Sequence, residues 1–189
     1  MALTQEEKAF LLRIARESVK FFLEDGKRLD LDPKDVPSKK LTEDGACFVS
    51  IHKDGELRGC IGSLEAHRPL VFDVLENALA SAFGDARFYP LDRNELDQVK
   101  FSISVLSEPK PFRVKDCDDL LKKLKPNKHG LIIKKGIARA TFLPVVWEQI
   151  PEKEEFLSHL CMKAGLLPNE WRDTKKIEFF VYEAEEFSE

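Results

Sequence analysis

The stretch LRGCIGS, residues 57 to 63, contains the side chains best suited to chemistry. Arg58 and Cys60 lie two apart in a predicted β-strand, so both side chains are expected on one face of the sheet. A guanidinium beside a thiol favours the thiolate, which is the nucleophilic form of cysteine. The same arginine would alternatively bind a carboxylate or phosphate of a ligand. The pair therefore predicts either a reactive cysteine or an anion-binding site.

A structural interpretation of Cys60 stays open beside these two. Cysteine is among the most frequently buried residue types, and Arg58 would then pair with an acid such as Asp85. Gly59 and Gly62 flank the cysteine. Glycines within a strand indicate room for a ligand, a bulge, or the close approach of another backbone.

A cysteine nucleophile also needs a base and donors for a developing negative charge. Backbone N–H groups near Gly62 and Ser63 are the predicted oxyanion donors. Of the four histidines, His67 follows the motif closely enough to reach it, but no histidine has a diagnostic spacing to Cys60. The reaction class that fits such a site is acyl transfer or hydrolysis.

A β-hairpin must position this motif. Asp54-Gly55 is a strong signal for a two-residue type I′ turn, which requires positive φ at both central positions. That turn pairs Lys53 with Glu56 and sets the register of the strands. The pairs predicted beyond it are His52–Leu57, Ile51–Arg58, Val49–Cys60 and Cys47–Gly62. One face would carry Phe48, Ser50, His52, Leu57, Gly59 and Ile61, and the other Cys47, Val49, Ile51, Arg58 and Cys60.

Helices and further strands surround the hairpin. Thr4 and Glu7 form a predicted capping box for an amphipathic helix that ends near Gly26. Further helices are predicted to begin at Pro69 and at Pro151 and to lie near residues 117 to 124, and a short helix is predicted after Asp92. Strands are predicted at 99 to 107, at 175 to 184, and in a second hairpin turning at Lys135-Gly136. Because helices and hairpins do not alternate regularly, the fold class is α+β with a mainly antiparallel sheet.

Two charged stretches lie outside the first hairpin. Asp85 and Arg87 in GDARF are predicted to form a polar pair, either a surface salt bridge or a ligand contact. Lysines cluster in residues 122 to 136 without aromatic residues between them for base stacking. This cluster is interpreted as a solvated face rather than a nucleic-acid interface.

Composition places the 189-residue chain among ordinary globular proteins. Hydrophobic residues make up 43% and the formal net charge is −4, which favours neither disorder nor nucleic acid as a partner. No signal peptide or membrane span is recognised, so a cytoplasmic location is expected. The four cysteines are scattered singly, without metal-ligand spacing, and are expected to be free thiols. No dinucleotide or P-loop motif is present, so no cofactor or metal is predicted.

Several segments, taken in order, closely resemble the AMMECR family, whose prokaryotic members are called AmmeMemoRadiSam system protein A. The segments are LRGCIGS, NALASAFGDARFYPL, FSISVLSEP, HGLIIKKG, TFLPVVWEQ and EEFLSHLCMKAGL. The likeness covers nearly the whole chain, and LRGCIG is its most specific part. Members often have D-P-R-F where this chain has DARF, and L-P-Q-V where it has LPVV, with Val145 in place of glutamine.

The resemblance implies one domain over residues 1 to 189, built as a larger and a smaller intertwined lobe with a cleft between them. It implies a site at Leu57, Arg58, Gly59, Cys60, Ile61 and Gly62. It also implies a Memo-like protein and a radical S-adenosylmethionine enzyme as partners; since this chain has no CxxxCxxC string, it would not hold the iron–sulfur cluster itself. The family carries no settled reaction, so two functions stay open: a cysteine-dependent enzyme, or a non-catalytic binding or adaptor module that recognises a partner protein or small ligand.

Overall fold

A computed structural model describes residues 2–189, and the chain divides into two compact units. Unit 1 consists of the residues up to Leu106 together with Glu185–Glu189. Unit 2 consists of Ser107–Ala184. The last residues of the sequence therefore return to the unit that holds the LRGCIG motif.

Unit 1 is a sheet with two helices packed against one face. Its helices are α1 (Gln5–Asp25) and α2 (Leu70–Phe83), and its strands are β1 (Asp44–Lys53), β2 (Glu56–Gly62), β3 (Arg68–Pro69), β4 (Val99–Leu106) and β9 (Ala184–Ser188). The strand order is β2-β1-β4-β9, and β3 pairs with the start of β1. Strand β1 is antiparallel to β2, β3 and β4. Fully buried Val49, Ile51 and Ile103 face the helices, so the core lies between the helices and this face of the sheet.

The ends of the helices follow from local sequence. The Thr4 hydroxyl accepts a hydrogen bond from the Glu7 amide at 3.2 Å, and the Glu7 carboxylate accepts one from the Thr4 amide at 2.8 Å, as the capping box predicts. Gly26 ends α1 with φ of 67°. Helix α2 begins at Leu70 rather than at Pro69, because Pro69 belongs to β3 and pairs with Asp44.

The first hairpin turns where predicted, but its register changes after two pairs. Asp54 and Gly55 both have positive φ, 52° and 84°, and the pairs Lys53–Glu56 and His52–Leu57 are confirmed. Arg58 is then an extra residue in a bulge, so the pairs predicted for it and for the residues after it are wrong. The observed pairs are Ile51–Gly59, Ser50–Cys60, Val49–Ile61 and Phe48–Gly62. Cys60 therefore shares a face with Ser50, not with Val49 and Cys47 as predicted.

Unit 2 is a second antiparallel sheet with its own core. Its elements are β5 (Lys110–Pro111), α3 (Cys117–Lys123), β6 (Gly130–Lys135), β7 (Ala138–Phe142), α4 (Lys153–Lys163) and β8 (Glu178–Tyr182), and the strand order is β5-β8-β6-β7. Trp147 stacks on Phe156 with ring centroids 3.6 Å apart, and both are buried. The second hairpin turns at Gly136-Ile137, one residue later than predicted, because Lys135 still pairs with Ala138.

The predicted α+β class with mainly antiparallel sheets flanked by helices is confirmed. The cleft between lobes stays a prediction. Within residues 2–189, no helix is both long enough and apolar enough to cross a membrane.

Candidate functional site

A row of buried polar residues, three in α2 and one in the loop just after it, contacts the backbone of the motif hairpin and of the residue at its start. Its members are spaced four residues apart: Asp73, Asn77, Ser81 and Asp85. A carboxylate oxygen of Asp73 accepts from the Cys47 amide at 3.0 Å, and Asn77 donates to the Cys47 carbonyl at 3.2 Å. The sequence reasoning recognised only the apolar stripe of this helix. The interval of four residues was the signal that would have identified the polar row.

Ser81 inserts its hydroxyl between the two strands of the hairpin. The hydroxyl donates to the Val49 carbonyl at 2.7 Å and accepts from the Ile61 amide at 2.8 Å, although Val49 and Ile61 are partners in the ladder. This approach requires glycine at position 59, since a Cβ there would lie 2.2 Å from the Ser81 carbonyl oxygen. Gly59 is therefore explained by close helix–strand contact.

Gly62 also lies where neighbouring atoms leave no room for a side chain. A Cβ at this position would lie 2.3 Å from the Phe48 ring and 2.5 Å from the Cys47 carbonyl oxygen. Neither Gly59 nor Gly62 is thus needed to make room for a ligand, because protein atoms already occupy the space beside both.

Arg58 is held by groups other than Cys60. It forms two hydrogen bonds to the Glu95 carboxylate, at 2.9 and 3.3 Å, and donates to the Tyr89 carbonyl at 2.9 Å. The guanidinium lowers the pKa of Glu95 to about 2. Lys53 approaches the same carboxylate at 3.1 Å. The predicted role of Arg58 as the partner of the thiol is therefore replaced by an ion pair with Glu95.

Asp85 and Arg87 hold the backbone of Cys60 instead. Asp85 accepts from the Cys60 amide at 2.9 Å, and Arg87 donates to the Cys60 carbonyl at 3.3 Å. Arg87 also binds Asp85 through Nε and Nη2, at 2.9 and 2.7 Å, which holds the pKa of the buried carboxyl far below its usual range. Strand β2 is at the edge of its sheet, so this pair takes the place of a neighbouring strand at Cys60.

The Cys60 thiol is partly buried beside Ser50, whose hydroxyl lies 3.0 Å from Sγ. Burial raises the pKa of the thiol, and the Ser50 hydrogen bond and the Arg87 charge offset only part of that rise. Cys60 is thus a neutral thiol at neutral pH rather than the activated thiolate that the sequence suggested.

The other predicted catalytic groups are occupied elsewhere. The Ser63 amide donates to the Cys47 carbonyl at 2.9 Å, and the Ser63 hydroxyl donates to Asp73 at 2.8 Å. His67 contacts the Glu65 carbonyl and Arg68 through its two ring nitrogens. In the part of the chain that the structure describes, the recorded partners of His67 and of the Ser63 amide are therefore groups other than Cys60.

Leu57 and Ile61 complete the predicted site residues. Leu57 is 40% exposed at the start of β2, while Ile61 is partly buried with its amide bound to Ser81. Among residues 2–189, no group of three or more His, Cys, Asp and Glu side chains is arranged to hold a metal ion.

Three of the six lysines in the cluster at residues 122 to 136 form ion pairs. Lys123 binds Asp119 at 2.8 Å and Lys128 binds Glu183 at 3.2 Å, and Lys135 forms an ion pair with Glu170. Ion pairs of this kind are common on protein surfaces, and the interpretation of the cluster as a solvated face stays a prediction.

The AMMECR1 family matches residues 12–187. The chain belongs to the AMMECR1 family. Among similar members, Protein MK0488 of Methanopyrus kandleri is 40% identical, over 99% of this chain and 90% of its own. Protein NEQ441 of Nanoarchaeum equitans is also 40% identical, over 95% of this chain and 98% of its own.

A solved structure shares the fold of this AMMECR1-family chain. The crystal structure of PH0010 from Pyrococcus horikoshii has a TM-score of 0.90 at 34% identity, and the match covers 99% of this chain and 93% of that one. The sequence resemblance to the AMMECR family is thereby confirmed.

Proposed function

We propose that this AMMECR1-family chain is a non-catalytic binding module of the cytoplasm, and that its site is the Cys60 face. We define the Cys60 face as the side of β1 and β2 that bears Phe48, Ser50 and Cys60 and lies opposite the helices. All three residues are partly exposed there. A face with a hydroxyl, a neutral thiol and an aromatic ring suits recognition of a mixed polar and apolar surface.

The observation that carries this proposal is the setting of the Cys60 thiol, which is partly buried with the Ser50 hydroxyl 3.0 Å from Sγ. A cysteine nucleophile needs a thiolate, which nearby cations and a base would supply. Here burial raises the thiol pKa, and Arg58 is bound to Glu95. The Asp85–Arg87 pair holds the amide and the carbonyl of the same residue, and a backbone held in place before binding lowers the entropic cost of binding.

The partner class is a protein. The family resemblance makes the Memo-like protein and the radical S-adenosylmethionine enzyme of the source organism the partners to test. The assay is biolayer interferometry with each purified protein against the immobilised chain.

Two substitutions on the Cys60 face separate binding from catalysis. Ser50→Tyr adds bulk beside Sγ and is expected to weaken binding by about tenfold or more. Cys60→Ser keeps the shape and polarity of the side chain and is expected to retain binding. Ile137→Tyr, at a fully exposed turn position of unit 2, is the matched control. Thermal melting confirms that each variant is folded. Unchanged binding by Ser50→Tyr would reject the Cys60 face as the binding site. If Cys60→Ser abolished cellular function while binding persisted, the cysteine enzyme would replace the binding module.

A further inference from the structure

A nearly buried serine extends the Cys60 face onto a third strand. Ser102 in β4 pairs with Ser50 in β1, and Ser50 pairs with Cys60 in β2. Residues paired in this way point to the same side of a sheet, so the three side chains lie next to one another across it. Ile103, the residue after Ser102, is fully buried in the core on the other side. We call Cys60, Ser50 and Ser102 the thiol–hydroxyl row.

The Ser102 hydroxyl differs from the other buried polar groups of the described residues. Those groups are hydrogen-bonded within the chain, and Ser18 and Ser81, for example, donate to backbone carbonyls at 2.9 and 2.7 Å. Ser102 is only 6% exposed, yet its hydroxyl makes no hydrogen bond to another of residues 2–189. Every fully enclosed side-chain nitrogen or oxygen atom in this part of the chain has a partner, so the Ser102 oxygen must reach the surface of the row. A hydroxyl held in this way costs stability and calls for a partner outside the chain.

The row offers a hydrogen-bond donor beside an acceptor. The Ser50 hydroxyl donates its proton to Sγ of Cys60 at 3.0 Å, so its oxygen is left to accept. The Ser102 hydroxyl still has its proton to donate. Paired residues of antiparallel strands have Cβ atoms about 4.5–5.5 Å apart, which is close enough for one small group to bond with both hydroxyls.

A carboxamide matches this pair of hydroxyls. Its N–H group donates to the Ser50 oxygen, and its carbonyl, fixed in the same plane, accepts from Ser102. A carboxylate has no proton for Ser50, and it would be repelled by Glu186, whose negative charge is near enough to raise the pKa of Cys60. An ammonium group has no acceptor for the Ser102 proton. A single hydroxyl could serve both serines, but it does not hold its donor and acceptor in fixed directions as the planar amide does.

We propose that the thiol–hydroxyl row binds the carboxamide of an asparagine or glutamine side chain on the partner protein. The partner then supplies the hydrogen bond that Ser102 lacks within its own chain. This inference rests on the proposed binding function and names the chemical group that the Cys60 face recognises.

Crystals of the full chain soaked separately in acetamide, acetate and glycerol test the chemistry of the row. Acetamide is expected within hydrogen-bond distance of both the Ser50 and the Ser102 oxygens, where acetate and glycerol should not bind. Ser102→Ala should lose the acetamide. Ser104→Ala is the matched control, on the same strand and face but paired with Phe48, and should keep it. Acetate or glycerol bound as readily as acetamide, water alone in the acetamide soak, or acetamide retained by Ser102→Ala would each overturn the inference.

Partner binding and stability are then measured on the same two variants. In the interferometry assay Ser102→Ala should weaken partner binding about tenfold, the loss expected for one hydrogen bond, and Ser104→Ala should not. Urea unfolding of Ser102→Ala should have an unchanged or higher midpoint, because no hydrogen bond within the chain is lost. A clearly lower midpoint would make Ser102 a structural residue and would also overturn the inference.

The same measurements separate this inference from the proposed function. If Ser50→Tyr weakens partner binding while Ser102→Ala does not, the carboxamide site is wrong and the Cys60 face stands. If acetamide occupies the row but neither partner protein binds the wild-type chain, the protein partner is rejected and the carboxamide belongs to a small molecule.

Discussion

Substituting Gly59 by alanine tests the claim that this residue serves helix packing. The added Cβ would lie 2.2 Å from the Ser81 carbonyl oxygen and 3.1 Å from its carbonyl carbon. These are backbone atoms within α2, so no side-chain rotation relieves the contact. Helix and strand must separate by about 1 Å to reach ordinary van der Waals distance.

The expected loss of unfolding free energy in Gly59→Ala has two parts. Forcing extra volume into a packed contact costs typically about 1–3 kcal/mol. Separation also stretches the bonds from the Ser81 hydroxyl to the Val49 carbonyl and from the Ile61 amide to that hydroxyl, now 2.7 and 2.8 Å long. A buried backbone group that loses its partner costs a further ~1–3 kcal/mol. We therefore expect Gly59→Ala to lower the free energy of unfolding by about 3 kcal/mol or more.

Urea unfolding followed by circular dichroism measures this loss. Both tryptophans lie in unit 2, so tryptophan fluorescence would follow the unfolding of that unit. Hydrogen exchange of the Val49 and Ile51 amides therefore serves to follow unit 1 directly. Gly84→Ala is the matched control, since its Cβ would come no closer than 3.1 Å to another atom and its φ is −116°. A loss for Gly59→Ala below about 1 kcal/mol, or no larger than that of the control, would refute the packing explanation.

Two further predictions follow from the charges and the thiol. Burial raises the pKa of the Cys60 thiol, so the rate of iodoacetamide alkylation should reach half its maximum above the ordinary value of about 8.5. Ser50→Ala should move this midpoint higher, because the Ser50 hydrogen bond lowers the pKa; a midpoint at or below about 8.5 contradicts the raised pKa. Arg58 lowers the pKa of Glu95 from 4.5 to about 2, so the stability that Glu95 contributes is present above pH 4.5 and lost as the pH falls toward 2. The difference in unfolding free energy between wild type and Glu95→Gln should therefore shrink over that interval. A difference that does not change with pH would show that the Arg58–Glu95 ion pair does not contribute to stability.

The parts of the hairpin that depend on neighbouring residues could be predicted from the sequence, and the part that depends on distant residues could not. The Asp54-Gly55 turn and the two pairs beside it follow from positive φ at adjacent residues, and both were correct. The bulge at Arg58 was not predictable from alternation, because its partners Glu95 and Tyr89 are more than 30 residues away in sequence. A shift of one residue moves every later side chain to the other face, and this placed Cys60 wrongly.

The polar row of α2 shows the opposite case, in which a visible pattern was passed over. Apolar periodicity predicted which side of the helix is buried, and Val74 and Ala78 are indeed fully buried. Asp73, Ser81 and Asp85 are buried on the same helix-to-sheet contact, where their partners are backbone groups of the hairpin. Buried polar residues are retained when each is hydrogen-bonded, so the interval of four residues was itself informative.

Most residues of the LRGCIG hexapeptide are explained by contacts within the fold. Gly59 and Gly62 are fixed by contacts with Ser81 and Phe48, and Ile61 gives its amide to Ser81. Arg58 makes the bulge and clamps the Tyr89 loop. These four roles build the junction between hairpin and helix, so a motif of this kind needs no reaction to explain most of its residues.

Cys60 is the member whose side chain the junction does not require. Its backbone is braced by Asp85 and Arg87, whereas its thiol lies 3.0 Å from the Ser50 hydroxyl and stays partly exposed. If the thiol served packing alone, Cys60→Ala would cost little more than the transfer of one small side chain and would leave partner binding unchanged. If the thiol belongs to a recognition surface, Cys60→Ala should weaken partner binding while the unfolding free energy changes little, and measuring both quantities on one variant separates the two roles.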